Sequence, residues 1–249
     1  MIEVRYLGQL GNRLFTYCFA RILAEEMNYE LKVRPFTEFP GTYQKISGHK
    51  YKTPEIIYRE NETPDLNAIL ADKTPRKIIV QAYLQQYQYY EKYAEKIKNN
   101  WLKLDPLPDG PGPNDLVIHI RLGDYLLRHW ALSFSYYHHL INNFIAEKNL
   151  GNIFIISDEI HSPLLEPFKK YGAIFIDKNA IDSLRFMTTA GQIIMSASTF
   201  SWWGAFLSSA KKIYFPIPQF GSWSPDTKNN LRIEDSRYIY IENVPMFTN

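Results

Sequence analysis

Three short segments of the chain bring together residue types suited to holding an anion beside a polyhydroxylated ligand. The first is His119-Ile120-Arg121-Leu122-Gly123-Asp124-Tyr125. A guanidinium at Arg121 is a planar fork of donors that fits a pair of phosphates, with charge-assisted bonds of roughly 1.5 to 3 kcal/mol. A structural role is the alternative, with Arg121 paired to Asp124 in a turn. The second segment is Ser196-Ala197-Ser198-Thr199-Phe200-Ser201-Trp202-Trp203-Gly204. Small hydroxyl residues opening a helix cap it and leave backbone N–H groups aimed outward, a ready anion site. The alternative is a cap alone, with Trp202 and Trp203 filling the core. The third is Gly8-Gln9-Leu10-Gly11-Asn12-Arg13-Leu14-Phe15, a glycine-punctuated turn in which Asn12 is placed to cap a helix or bond a sugar hydroxyl. It has neither the three glycines of a dinucleotide fingerprint nor the Gly-Lys-Ser/Thr of a phosphate loop, so a structural tight turn is the alternative. Asp158 and Asp182 add two carboxylates able to accept N–H bonds from a base edge or bind a ribose hydroxyl, or else to cap helices.

The rest of the composition narrows the class. Lys and Arg number 28 against 26 Asp and Glu, a net charge of +2 without long like-charged runs, which argues against nucleic acid as partner. One cysteine, Cys18, forms no intramolecular disulfide, and six dispersed His show no metal-ligand spacing. No Asp-x-Asp triplet occurs, so neither metal nor other cofactor is expected, and charge on a leaving group would be met by Arg and a helix terminus. The chain has no eighteen-residue apolar stretch and its first residues read as a strand rather than a signal peptide. A soluble, cytoplasmic protein without a membrane span is expected. Aromatic residues make up 15%, which suits sugar-stacking surfaces and filled cores alike.

The elements that must position these segments follow from periodicity. A strand at about 2 to 6, an amphipathic helix from Asn12 to about Met27 and a strand near Glu30 to Arg34 make a βαβ-like opening. The helix rests on Leu14, Phe15, Cys18, Phe19, Ile22 and Leu23 at three-and-four spacing. Residues 35 to 77 are weakly patterned and read as an irregular excursion. The Pro- and Gly-rich run Asp105 to Asn114 leaves no room for a helix or paired strand and reads as a linker between domains at 1–104 and 115–249. Beyond it, Leu116 to Ile120, Ile153 to Ile156, Ala173 to Ile176 and Ile193 to Met195 are short β-branched runs. They alternate with helical stretches at about Ser135 to Lys148, Ser162 to Tyr171, and from Ala180 and Ser201. That alternation predicts a parallel, doubly wound sheet, with ligands at the carboxyl ends of its strands.

Taken in order, the three segments resemble the α-1,2-fucosyltransferase family, and more distantly the wider fucosyltransferase superfamily. Gly8 to Phe15 looks like the family's Gly-x-Leu-Gly-Asn-x-x-Phe turn, His119 to Tyr125 like its His-x-Arg-Arg-Gly-Asp-Tyr box, and Ser198 to Gly204 like its Ser-Thr-Phe-Ser-Trp-Trp-Gly box. Ser157-Asp158 and the Asp182 to Met187 stretch also fall where the family has similar residues. The resemblance implies an α/β, GT-B-like fold of two Rossmann-like domains facing each other across a cleft. It also implies a GDP-fucose donor, a glycan acceptor and inversion at the anomeric carbon, with α-1,2 linkage to galactose. On the residues of this chain it implies that Arg121 binds the donor diphosphate and that His119 and Asp182 hold the nucleoside. The turn Ser198, Thr199, Phe200 and Ser201 would contact phosphate, and Gly11, Asn12 and Arg13 would lie near the transferred sugar.

An inverting transfer chiefly demands stabilisation of the departing diphosphate, which falls to Arg121 and the helix start at Ser201. Asp124 and His129 are the candidates for the base that takes the acceptor proton, so Arg121, Asp124, His129 and Asn12 form the expected catalytic set. Two departures stand out. Leu122 occupies the position of the family's second Arg, and Arg13 stands where the family has Gln. Two other readings remain open: a transferase for another nucleotide sugar, and a catalytically silent glycan-binding protein stacking sugars on Tyr83, Tyr87, Tyr89, Tyr90 and the tryptophans. Oligomeric state is left open.

Overall fold

A computed structural model describes residues 1–147 and 151–248. The last position of the helix expected to reach Lys148 therefore lies outside the described residues. The chain packs as two compact units, one of Met1–Lys103 with Lys228–Arg232, the other of Leu104–Thr227 with the chain from Ile233 onward. Both are α/β layers around wholly parallel sheets.

In the first unit, β1 (Ile2–Val4), α1 (Leu10–Glu26) and β2 (Leu31–Lys32) form the expected βαβ opening. The supposed irregular excursion holds β3 (Glu55–Tyr58), α2 (Leu66–Ala71, capped by Asp65) and then β4 (Lys77–Val80). Sheet order is β2-β1-β4-β3. β3 escaped the sequence reading because it is an edge strand in which no side chain is fully buried, so no apolar alternation marks it. Short 3-10 turns, α3 (Ala94–Lys96) and a π-helical turn at Ile97–Trp101 follow.

α1 departs from the amphipathic reading, because every residue from Leu14 to Ala24 is buried. Its supposed polar face is covered by the chain between β2 and Trp101, and Arg21 lies inside. Arg21 donates to the Tyr17 hydroxyl (2.6 Å), the Gly41 carbonyl (2.7 Å) and Gln44 Oε1 (2.5 Å), pairs with Glu25 (2.8 Å), and stacks over Trp101. Each bond satisfies a group that burial would otherwise leave costly.

In the second unit, β5 (Leu116–Ile120), α4 (Gly123–Leu127), α5 (Phe134–Ala146), β6 (Ile153–Ser157), β7 (Ile174–Phe175), α6 (Ala180–Met187), β8 (Gln192–Ile194) and α7 (Thr199–Phe206) follow the expected alternation. The stretch Pro163–Tyr171 is a 3-10 helix; Pro163 suits its first position, and Pro167 inside it lacks the N–H that an α-helix would direct to the Pro163 carbonyl. Two further strands, β9 (Lys212–Pro218) and β10 (Tyr238–Val244), complete a six-stranded sheet of order β10-β9-β8-β5-β6-β7. The Pro- and Gly-rich run packs onto this unit: the Asp105 carbonyl accepts from Arg185 Nε (2.9 Å) and Asp109 pairs with Lys178 (3.1 Å).

Strand placement reverses direction in both sheets, twice in the first and once in the second. In the first, the chain runs outward from β1 to β2 and later returns to place β4 against the other side of β1. In the second, it runs outward from β5 through β6 to β7, then returns to place β8 against β5. Ligands of open parallel sheets bind outside the strand ends at such reversals. Loss of the Arg21 interactions tests how far the first unit depends on them. Arg21→Ala is expected to destabilise that unit by about 3 kcal/mol, read as a lower urea midpoint, whereas an unchanged midpoint would show those bonds to be energetically idle.

Candidate functional site

The reversal between β5 and β8 brings the first two sequence motifs together. β5 delivers His119 and Arg121 at its carboxyl end, and β8 leads through Ser196 into the start of α7. His119 is buried, its Nδ1 2.9 Å from Ser196 Oγ, its ring 5.0 Å from that of Phe200. Ser196 Oγ is in turn 3.1 Å from Ser198 Oγ, and the Ser196 N–H donates to Ser201 Oγ (3.1 Å). Ser198 caps α7 by accepting from the Ser201 N–H (3.2 Å). The cap reading is met, and capping one N–H leaves the first-turn N–H groups of Thr199 and Phe200 without partners inside the helix. Trp202 and Trp203 are fully buried, which settles them as core.

Burial pushes the His119 imidazole down to about 3, with the nearby Arg121 charge adding to the effect. The ring is therefore neutral at physiological pH and serves as a hydrogen-bonding strut.

Arg121 sits between two carboxylates, Asp158 Oδ2 at 3.0 Å and Asp124 Oδ1 at 2.5 Å. Asp124 Oδ2 also faces Arg128 Nε at 3.6 Å. Asp158 does not offer free oxygens for a ribose, since its second oxygen accepts the Leu122 N–H (2.8 Å). It acts as a positioning residue for the Arg121 turn. The close approach needs glycine next in line, because a Cβ on Gly123 would stand 2.3 Å from Asp158 Oδ2. Leu122 itself is fully buried, so the position of the family's second Arg is here part of the apolar core.

Asp182 lies in the first turn of α6, where it caps more than it presents. Its N–H donates to Asn179 Oδ1 (2.9 Å), and its carboxylate accepts from Asn179 Nδ2 (2.8 Å) and pairs with Arg185 (3.1 Å). α6 packs closely on α7 at Gly204, where a Cβ would meet Met187 at 2.5 Å.

In the first unit, the glycine-rich turn sits at the β1/β4 reversal. Gly8 adopts φ +63°, which a side chain would strain, and a Cβ there would stand 2.5 Å from Asn12 Nδ2. α1 starts at Leu10, so Asn12 is inside the helix rather than its cap; its Oδ1 accepts from Gln85 Nε2 (3.3 Å), beyond β4. Gly11 is buried, and Arg13 is exposed with its Nε donating to the Gly8 carbonyl (2.8 Å).

The tyrosines offered as sugar platforms divide. Tyr89 and Tyr90 are buried, with hydroxyls bonded to the carbonyls of Pro64 (2.7 Å) and Leu84 (2.8 Å), so they are core; Tyr83 and Tyr87 are half-buried. His129 is exposed and has φ +55°, an unusual backbone for a residue with a side chain. It lines a pocket of the second unit, about 510 Å³, whose far wall comes from the C-terminal tail. The tail is fastened there by the Phe247 N–H to the Ala131 carbonyl (2.7 Å) and by the Ser133 N–H to the Pro245 carbonyl (2.9 Å). Sequence reasoning had no signal for this wall, because the tail has no periodicity and its partner is more than a hundred residues away. Ser196 was visible inside its motif, but its link to His119 was not.

A neutral buried His, an Arg at a strand end and a capped helix start meet at one reversal of an open parallel sheet, which makes this an α/β protein of the open parallel-sheet class. The profile of glycosyl transferase family 11 matches residues 77–236, and the chain belongs to that family. It is a glycosyltransferase of the fucosyltransferase kind that its motifs resemble. It is 24% identical to an α-1,2-colitosyltransferase of Escherichia coli over 94% of this chain and 99% of that protein. Among solved structures it is similar in fold to POFUT1 in complex with GDP-fucose in two crystal forms. The TM-scores are 0.51 and 0.50, at 11% and 9% identity, over 84% and 85% of this chain and 94% and 96% of those chains. No helix of the described residues is long and apolar enough to cross a membrane.

The neutral His119 carries a pH signature. Its folded value lies below the ordinary imidazole value of 6.5, so its contribution to stability is present above that pH and lost as pH falls from 6.5 towards about 3. Between about pH 6.5 and 5, before most carboxylates titrate, the wild type is expected to lose stability relative to His119→Gln by up to ~1.4 kcal/mol per pH unit. Parallel urea stabilities across that range would show that His119 takes up a proton in the folded state.

Proposed function

We propose that the protein transfers fucose from GDP-fucose to a glycan hydroxyl, with inversion and in the GT-B manner. Residues 1–104 would form the acceptor-side domain and 115–249 the donor-side domain, joined by 105–114. The observation that carries this reading is the placement of Arg121, after β5, and of the start of α7, after β8, at the same end of two neighbouring strands, with His119 of β5 bonded to Ser196 on the way into α7. The donor diphosphate would lie on Arg121 and the N–H groups of Thr199 and Phe200, where charge develops as the bond from the anomeric carbon to phosphate breaks. Ser198 and Ser201 hold that helix end in place, and Phe200 and His119 flank it. Asp182 is assigned to the nucleoside, and Asn12, with Gly11 and Arg13, to the transferred sugar. The fold shared with POFUT1 and the motif order support the donor assignment. α-1,2 linkage to galactose belongs to the same reading.

Between the two candidate bases the geometry favours His129. Both Asp124 oxygens face guanidinium groups, of Arg121 and Arg128, whereas His129 is exposed at the rim of a pocket. In the reaction His129 takes the proton of the acceptor hydroxyl, the freed oxygen bonds to the anomeric carbon, and GDP leaves with the electrons of the broken bond.

A second donor deserves a place because the E. coli relative is a colitosyltransferase. Colitose lacks one ring hydroxyl of fucose, so a site that hydrogen-bonds that hydroxyl would discriminate strongly, while a site that ignores it would use both donors. Calorimetry with GDP, and UDP as control, followed by turnover with GDP-fucose and GDP-colitose, tests the reading. Wild type is expected to bind GDP without added metal and to prefer GDP-fucose, and Arg121→Ala to lose roughly 10²- to 10³-fold in turnover. Absence of GDP binding, or a mutant as fast as wild type, would remove the fucosyltransferase assignment.

A further inference from the structure

The pocket beside α4 is bounded by groups of two kinds. Trp130, Phe220 and Phe247 provide apolar surface, while Arg128, His129 and Thr248 bring hydrogen-bonding groups. At about 510 Å³ it is of the size that holds small-molecule ligands. A pyranose ring is built to the same division, with apolar C–H faces and a hydroxyl rim, so aromatic surface edged by donors and acceptors suits it.

Two further features tie the pocket to the transfer chemistry. Arg128 at its edge and Arg121 at the phosphate position share Asp124, at 3.6 and 2.5 Å, so pocket and anion site are joined through one carboxylate. His129 is the left-handed residue that ends α4, its N–H on the Leu126 carbonyl (3.3 Å) and the Trp130 N–H on the Tyr125 carbonyl (2.8 Å), so the helix end fixes both side chains at the pocket. The aromatic wall is anchored as well: Trp130 packs edge-on against Tyr125, whose hydroxyl donates to the Ala197 carbonyl (3.3 Å) just before α7. Phe220, in contrast, is 68% exposed, so its ring is accessible at the pocket's edge.

We infer that this pocket is an acceptor-saccharide subsite, in which Trp130 and Phe220 pack against the sugar ring and hold its hydroxyl at His129. The inference rests on the transferase reading above and adds residues of the second unit and its C-terminal tail to acceptor recognition, beside the acceptor-side role proposed for residues 1–104.

The test uses lactose as the probe, with Phe220→Ala and the conservative Trp130→Phe so that folding is preserved. Saturation-transfer NMR on lactose reports occupancy directly, and initial rates with GDP-fucose and lactose give a separate KM for each substrate. Both variants are expected to raise the lactose KM roughly three- to tenfold and to weaken the lactose NMR signal, with GDP affinity and the GDP-fucose KM unchanged. Wild type that binds GDP but gives no lactose signal, or variants whose lactose signal and KM match wild type, overturns the subsite. A lactose signal that falls in both variants of a protein that binds no GDP upholds the subsite and overturns the donor assignment instead.

Discussion

The second unit depends on the pairing of Arg121 with Asp158. Asp158, arriving from the end of β6, takes Arg121 with one oxygen and the Leu122 backbone with the other, so neighbouring strands fix the direction of the fork. Gly123 permits the approach and buried Leu122 anchors the turn from below. Sheet register, turn conformation and charge placement are thus one arrangement, and the rest of the site is organised around it.

The charges of that arrangement nearly cancel. Arg121 and Arg128 face Asp124 and Asp158, and His119 adds no charge because burial keeps it neutral. An anionic ligand placed there meets little net positive charge, so its affinity has to come from directed hydrogen bonds and the N–H groups opening α7 rather than from bulk attraction. Asp124 is the more exposed of the two carboxylates, with 45% side-chain exposure against 22% for Asp158, and so is the more easily displaced from Arg121.

Much of this was legible before the fold was seen, and the reasons are physical. The β-branched runs at Leu116 to Ile120 and Ile153 to Ile156 are buried on both faces, so a parallel sheet followed directly from their composition. Arg121 and the Ser198 to Ser201 turn were readable because strand ends and helix starts place chemistry by rule. Asp158 and Asp182 were found as residues but not as roles, since whether a carboxylate faces a ligand or its own chain depends on packing. Arg21 was invisible: periodicity assigned it to a solvent face that tertiary structure covers. The exposed edge strand β3 and the tail behind His129 lacked any local pattern, their partners lying far away in sequence.

The short segment Lys228–Arg232 packs with the first unit although the chain on both sides of it packs with the second. There the Asn230 carbonyl accepts from the Tyr87 N–H (2.7 Å), and the Asn230 N–H donates to the Gln85 carbonyl (3.0 Å). The units are therefore stitched, not strung: the polypeptide passes between them three times. Recombination at one junction cannot exchange either unit whole, because a fragment beginning at Leu104 would carry a strip belonging to its absent neighbour.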